Sequence, residues 1–259
     1  MSEPITGSVG SNPTLSAIYY EENMFSVIIP TMWKYKPFYD FLLDMALQEA
    51  VGQIVIIDND PENKPDIPAL NHPKVEVYTF GRNIFVNPAW NIGVSLAKYD
   101  QICLYGDDTI FDLKLFNRMI PHVTPYRGVF GMCPGKVEYD QPPVITGEIG
   151  IQHCPFEYHY HKLFGFGMMM FLHKNNWVNV PEGLDLFWGD NFIYDTQYFM
   201  MNQNYIITNL FHHTPYSVTA SSIENHMDMY HRETALYNQV MPQLISDIRA
   251  KNSYRTGFN

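Results

Sequence analysis

Basic residues are scarce in this chain. Sixteen Lys and Arg stand against 27 Asp and Glu, a formal net charge of −11. Nonspecific nucleic-acid affinity depends on clustered cations that release counterions, so the balance argues against a broad phosphate-binding face and leaves room only for a local basic patch. Cysteine is scarce as well. Cys103, Cys133 and Cys154 are odd in number and lack CxxC spacing, which speaks against a disulfide framework or a zinc knuckle and fits a reducing compartment. No run approaches the roughly 20 apolar residues that span a bilayer, and the opening "MSEPITGSVGSNP" lacks the basic and apolar blocks of a signal peptide. The expectation is a soluble, cytoplasmic protein. Charged residues make up only 17%, which is foreign to a charge-laced coiled coil.

What the chain does have is apolar and aromatic bulk. Hydrophobic residues reach 46% and aromatic ones 15% over 259 positions, enough to bury one sizeable core and to line a ligand cleft with rings. Residues 1–23, rich in Ser, Gly, Pro and Asn, read as a loose arm. Structure is expected from "MFSVIIPT", a buried strand that Pro30 ends. "PFYDFLLDMALQEA" spaces Phe38, Phe41, Leu42, Met45 and Leu47 as a helix, with Gly52 as its stop. "QIVIIDND", "KVEVYTF" and "QICLYGDD" read as further strands, and "NPAWNIGVSLAKY" as a helix with Pro88 in its first turn. Later, "GFGMMMFLHKNNWVNV" reads as a strand running into a short helix, "FWGDNFIYDTQYFMMNQN" as a helix, "YIITNLFHH" as a strand and "SSIENHMDMYHRETALYNQVMPQLISDIRAKN" as a terminal helix. Met168 to Met170 are assigned to the core. The pattern is that of an α/β fold with a mostly parallel central sheet flanked by helices, in which ligands bind beyond the carboxyl ends of the strands. Three of those ends carry "PT", "DND" and "GDD". The adjacent carboxylates Asp107 and Asp108 either form a solvated turn or face a cation that offsets their repulsion.

The order of these motifs resembles the family 2 glycosyltransferases of the GT-A (Rossmann-like) fold. "FSVIIPT" is similar to that family's first strand and "IVIIDND" to its second; "RNIFVNPAWNIG" is similar to its Asn-x-Gly, then Ala-x-Asn-x-Gly, stretch through Asn83, Ala89, Asn91 and Gly93, with Phe85 where the family has Gly. "CLYGDDT" falls where the family has its Asp-x-Asp motif, with Gly106 in first position. "GFGMMMFLHKNNWVNVPEGLDLFWGDN" leads to an acidic motif represented by Asp190, preceded by Gly189 in place of a second acid, and "FHHTPYSVT" resembles the His-bearing strand end. The likeness covers roughly residues 25 to 220.

The resemblance implies an inverting, metal-dependent glycosyltransferase using a nucleoside diphosphate sugar, with a UDP-sugar favoured, within one domain over 24–259. Residues 24–110 would be the nucleotide-sugar half, 111–220 the acceptor and catalytic half, and 221–259 a helical C-terminal segment. Pro30, Thr31 and Asp58 would meet the nucleoside, with Arg82, Asn83 and Asn91 as further donor contacts. Asp108 would be a ligand of Mn²⁺ or Mg²⁺, and Asp107 would reach the donor ribose or act through water. His212 and His213 are the added metal candidates, and an imidazole would tilt the choice to Mn²⁺; neighbours on a strand point to opposite faces, so at most one reaches the ion. Asp190 would be the general base for an acceptor hydroxyl, the alternative being a helix N-cap. Trp188 would stack on a sugar or fill core, and Asp60 and Asp185 are left as turn residues. The charge balance favours a saccharide or glycoconjugate acceptor, held in part by the segment from Phe156 to Phe166, over a hydroxymethylated DNA base. Two competing classes are a nucleotidyltransferase, for which the chain lacks a Gly-rich Arg and Lys loop after the first strand, and a sugar-nucleotide binding module without catalysis.

Overall fold

Phe25–Thr31 (β1) is buried at every position and sits inside the sheet, which is why it reads as a continuous apolar run. Its side chains alternate between the two faces. Phe25, Val27 and Ile29 enter one apolar cluster, and Ile28 enters the other. The computed structural model describes residues 24–132, 145–154, 165–210, 212–213 and 223–256. The expected arm over 1–23, Cys133, most of the Phe156 to Phe166 segment and residues 214–222 lie outside the described residues.

After β1 come a helix at Pro37–Ala46 (α1), strands at Val51–Asp58 (β2) and Val75–Thr79 (β3), a helix at Val86–Leu96 (α2) and a strand at Gln101–Tyr105 (β4). There follow Ile110–Phe111 (β5), Lys114–Met119 (α3), Phe130–Met132 (β6), Ile145–His153 (β7), Met169–His173 (β8), Gly189–Phe199 (α4), Tyr205–Leu210 (β9), His212–His213 (β10) and Met227–Thr256 (α5). The main sheet has eight strands in the order β3-β2-β1-β4-β8-β6-β9-β7, and β10 pairs with β5 in a separate two-stranded sheet. The β3-β2-β1-β4 half is parallel. From β8 onward the pairing is mixed. One face packs on α1 and α3 through Phe38, Phe41, Leu42, Met45, Leu115 and Phe116. The other face packs on α2, α4 and α5 through Trp90, Val94, Phe192, Ile193 and Tyr237.

Several sequence expectations shift here. Helix α1 stops at Ala46, Leu47 is 63% exposed, and Gly52 lies inside β2 instead of ending the helix. The bond from Val51 N to Gln48 O turns the chain straight into the strand. Pro30 does not end β1, which runs to Thr31. Proline is tolerated there because the ladder with β4 stops at Ile28, so no partner on that side needs its missing N–H. The expected strand over 205–213 is two strands in two sheets. Among the described residues no helix is long and apolar enough to cross a membrane.

Candidate active site

The strand order places β1 between β2 and β4, with the crossover helices on opposite faces, so a crevice opens where β1 and β4 diverge beyond their carboxyl ends. Four strand ends meet along it through one chain of hydrogen bonds. Thr79 Oγ1 donates to Asp58 Oδ2 (3.2 Å), and the Trp33 indole donates to Asp58 Oδ1 (2.8 Å). Trp33 N donates to Thr31 Oγ1 (2.9 Å), and Thr31 Oγ1 donates to Asp107 Oδ2 (2.5 Å). Asp107 and Asp108 thus stand at the crevice, one of them anchored to β1. The turn that carries them is fixed by Thr109 N to Gly106 O (3.3 Å) and by the buried Tyr105 hydroxyl, which donates to Thr109 O.

Electrostatics at this turn is unfavourable to two bare charges. Burial raises Asp107 to about 6, partly opposed by the Thr31 hydroxyl, the Met32 backbone and Lys34. Burial, and then the charge of Asp107, raises Asp108 to about 7. Among the described residues no basic side chain lies within ion-pair distance of either carboxylate. Hard oxygen donors without a protein cation fit Mg²⁺ or Mn²⁺. Among the described residues no three His, Cys, Asp or Glu side chains gather at one point, so a cation here would need ligands beyond Asp107 and Asp108 to complete its shell. His212 and His213 pair in register with Phe111 and Ile110, which places their backbone beside the strand that follows Asp108.

Asp190 reaches the same neighbourhood from the other half of the sheet. Gly106 N donates to Met168 O (2.9 Å), tying the Asp107–Asp108 turn to the segment ahead of β8. Gly167 in that segment faces Asp190 so closely that a Cβ there would lie 2.7 Å from Asp190 Oδ2. The helix cap is Trp188, in a left-handed conformation, and not Asp190. Asp190 sits in the first turn and accepts from Asn191 N (2.9 Å), so the N-cap alternative for it does not hold. Gly189 is also explained. A Cβ at this position would fall 2.0 Å from Asn87 Oδ1, so an acidic residue before Asp190 has no room.

Several of the other expected donor contacts already have partners within the fold. Asp58 is fully buried and accepts from Trp33, Thr79 and the Asp60 backbone (3.1 Å), which makes it a buttress of the crevice wall. Asn91 exchanges two hydrogen bonds with the Val180 backbone (2.8 and 2.9 Å). Pro30 is buried in β1. Arg82 and Asn83 lie on an exposed loop, where Asn83 Oδ1 accepts from Phe85 N (2.7 Å) and Arg82 makes no ion pair among the described residues. Trp188 is partly buried and packs on the core, stacking on Tyr237 at 5.0 Å between ring centroids. Asp60 holds the Asn63 side chain in a turn, and Asp185 meets Arg232 at 3.4 Å.

No family model matches the sequence, and no curated protein is significantly similar to it. The structure of GalNAc-T7 with UDP, GalNAc and Mn²⁺ aligns at a TM-score of 0.51 and 12% identity over 74% of this chain and 44% of that one. The fold is GT-A. Residues 1–349 of S. aureus TarS align at a TM-score of 0.47 and 15% identity over 71% and 57% of the two chains. A nucleotidyl transferase from Methanothermobacter thermautotroptrophicus aligns at 0.48 and 12% over 72% and 88%. The chain thus spans less than two thirds of the GalNAc-T7 and TarS chains.

Within this GT-A frame, two positioning residues escaped sequence reasoning. Asn59 accepts from Ile84 N (3.0 Å) and donates to Phe85 O (3.4 Å), bracing the turn into α2. Asn87 donates from Nδ2 to Phe187 O (3.0 Å), tying α2 to the approach to α4. Phe85 itself has φ 64° and ψ −176°, a region essentially reserved for glycine. The position where the resemblance expects Gly keeps a glycine's backbone and carries a phenyl ring. Phe85→Gly is expected to be more stable than Phe85→Ala by about 1 kcal/mol in denaturant titrations, because both lose the ring and only Gly relieves the strain. An order of stability with Ala above Gly would refute a strained Phe85.

Proposed function

We propose that this protein is an inverting, metal-dependent glycosyltransferase that moves a sugar from a nucleoside diphosphate sugar, with a UDP-sugar as first choice, to a hydroxyl group of a saccharide or glycoconjugate. The observation that carries the reading is the convergence of Asp107–Asp108 and Asp190 on the Gly165–Met168 segment at the β1/β4 crevice. Support also comes from the UDP, GalNAc and Mn²⁺ held by GalNAc-T7, whose fold this chain shares.

Asp108, with Asp107 beside it, would hold Mn²⁺ or Mg²⁺, with His212 or His213 as the further candidate ligand. A divalent cation bound there supplies positive charge to a departing diphosphate. The protein's own groups do the rest. Thr31 fixes the Asp107 carboxylate, and the Asp58–Trp33 pair shapes the wall where the nucleoside would lie. The exposed Arg82 would close on the donor from the rim, beside Asn83, whose carbonyl oxygen already holds Phe85 N. Asp190 takes the proton of the acceptor hydroxyl as that oxygen attacks the anomeric carbon opposite the leaving group, which inverts the configuration. The acidic chain, at −11, favours a neutral saccharide surface over a duplex as acceptor.

The test is a panel of nucleotide sugars incubated with Mn²⁺, Mg²⁺ or EDTA, with water as the default acceptor. Metal-dependent release of nucleoside diphosphate from at least one donor is expected. Pyrophosphate release from a nucleoside triphosphate plus a sugar phosphate would mark a nucleotidyltransferase instead, and tight binding without turnover would mark a binding module.

Gly167→Ala provides an independent check on Asp190. The added methyl would lie 2.8 Å from Asp190 Cβ, so the carboxylate must move. Transfer is expected to fall about tenfold to a hundredfold with nucleotide affinity unchanged, the scale of loss for a misplaced reacting group. Full activity in this variant would remove Asp190 from the chemistry.

A further inference from the structure

The C-terminal helix α5 grips the segment just ahead of Asp190 at several points. Glu233, fully buried, accepts from Phe187 N (2.8 Å) and Leu186 N (3.2 Å). Trp188 Nε1 donates to Thr234 Oγ1 (3.0 Å), and its ring stacks on Tyr237 (5.0 Å) and Tyr230 (5.9 Å). From the other side Asn87 N donates to Asp185 O (3.0 Å), and Asn87 Nδ2 donates to Phe187 O (3.0 Å). Residues 185–188 are therefore held between α2 and α5, and the chain passes from left-handed Trp188 directly into α4 and Asp190.

A buried carboxylate is a costly way to pack a helix. Arg232 comes only to 3.9 Å of Glu233 and is itself 60% exposed, so the main partners of this charge are two backbone N–H groups. An apolar side chain would serve stability as well or better. What the carboxylate adds is direction, because two N–H vectors on consecutive residues are fixed by one acceptor group.

We propose that Glu233 is a positioning residue for Asp190, holding Leu186 and Phe187 so that the first turn of α4 presents the carboxylate against Gly167, with Thr234 holding Trp188 in the same bracket. This rests on the reading of Asp190 as general base. Its action is indirect, so the variant's cost is conditional on Asp190 being present.

The experiment uses the full chain with Glu233→Ala, Glu233→Gln and Thr234→Val, each alone and combined with Asp190→Asn. Donor turnover, UDP affinity by calorimetry and amide hydrogen exchange over residues 185–191 are read together. Glu233→Ala is expected to lower kcat about tenfold to a hundredfold without changing UDP affinity. Glu233→Gln, which keeps an acceptor for Phe187 N, should recover most of that loss. In the Asp190→Asn background Glu233→Ala should cost nothing further, the non-additivity of residues that act as one unit. Exchange at Leu186 and Phe187 should accelerate. An equal, additive loss in both backgrounds overturns the proposal, and so does unchanged exchange. If Glu233→Ala does not fold, the same non-additivity and exchange are required of Thr234→Val, and their absence there overturns it. A wild-type protein that turns over no donor would instead strike the functional reading, while the exchange arm still decides whether Glu233 holds the segment.

Discussion

Asp190→Asn is expected to lower sugar transfer by about a hundredfold or more, the usual range for removing a general base, and to leave UDP affinity and the fold in place. The structure separates these outcomes cleanly. Asp190 is in the first turn of α4, where its Oδ1 accepts from Asn191 N, and an asparagine carbonyl can keep that bond. The cap position belongs to Trp188, so no helix-capping function is lost. Asparagine is nearly isosteric and is not expected to disturb the contact with Gly167. The ends of β1, β2 and β4, where the nucleotide would bind, are not touched by the substitution. Initial rates at saturating donor, with the Kd of UDP measured alongside, decide the matter. Transfer at the wild-type rate would mean that another group takes the proton, and a parallel loss of UDP affinity would mean that Asp190 belongs to the donor site.

What the sequence revealed of this architecture follows from which forces are local. Strands β1, β2 and β4 are buried on both faces, so their apolar runs announce them, and the polar residues that end them mark the crevice. Helix α2 was legible from its apolar spacing and Pro88. Strands β5, β6, β7 and β10 were not separately legible; β5, β6 and β10 are two or three residues long and owe their existence to pairing with distant segments. At the site, residue type singled out the Asp107–Asp108 turn but said nothing of who meets whom. Asp58 and Asn91 look like ligand contacts in one dimension, and in three they also hold Trp33, Thr79 and Val180. Gly189 looked like a lost acid, and the reason for it, Asn87 Oδ1, lies about a hundred residues away in sequence. Glu233 offered no signal at all, since a lone Glu on a polar helix is ordinarily solvated and only the tertiary contact with Leu186 and Phe187 reveals its burial.

The second large effect falls on Asp108. Without a divalent cation, burial and the neighbouring Asp107 charge raise Asp108 to about 7, and burial raises Asp107 to about 6, whereas carboxyls in an unfolded chain titrate near 3.9. The native state therefore holds these protons more tightly than the unfolded one. For a carboxyl shifted upward, the pair favours the fold at low pH, and that contribution is lost as pH rises from about 4 through about 7. Asp108→Asn removes the repulsion permanently. In EDTA at about pH 8 the variant is expected to be more stable than wild type by about 1–3 kcal/mol, kept small by the partial solvent exposure of both carboxyls, and the difference should close towards pH 4. Mn²⁺ should reverse the order at the higher pH, because it stabilises the wild type in proportion to its binding and finds one ligand fewer in the variant. The same loss should appear in function, with Asp108→Asn abolishing most of the metal-dependent part of UDP binding while any metal-independent part persists. Calorimetry with UDP in Mn²⁺ and in EDTA reads this directly. Equal UDP affinity in the two conditions for the wild type would show that the turn at Asp107 and Asp108 holds its two carboxylates for some purpose other than a cation.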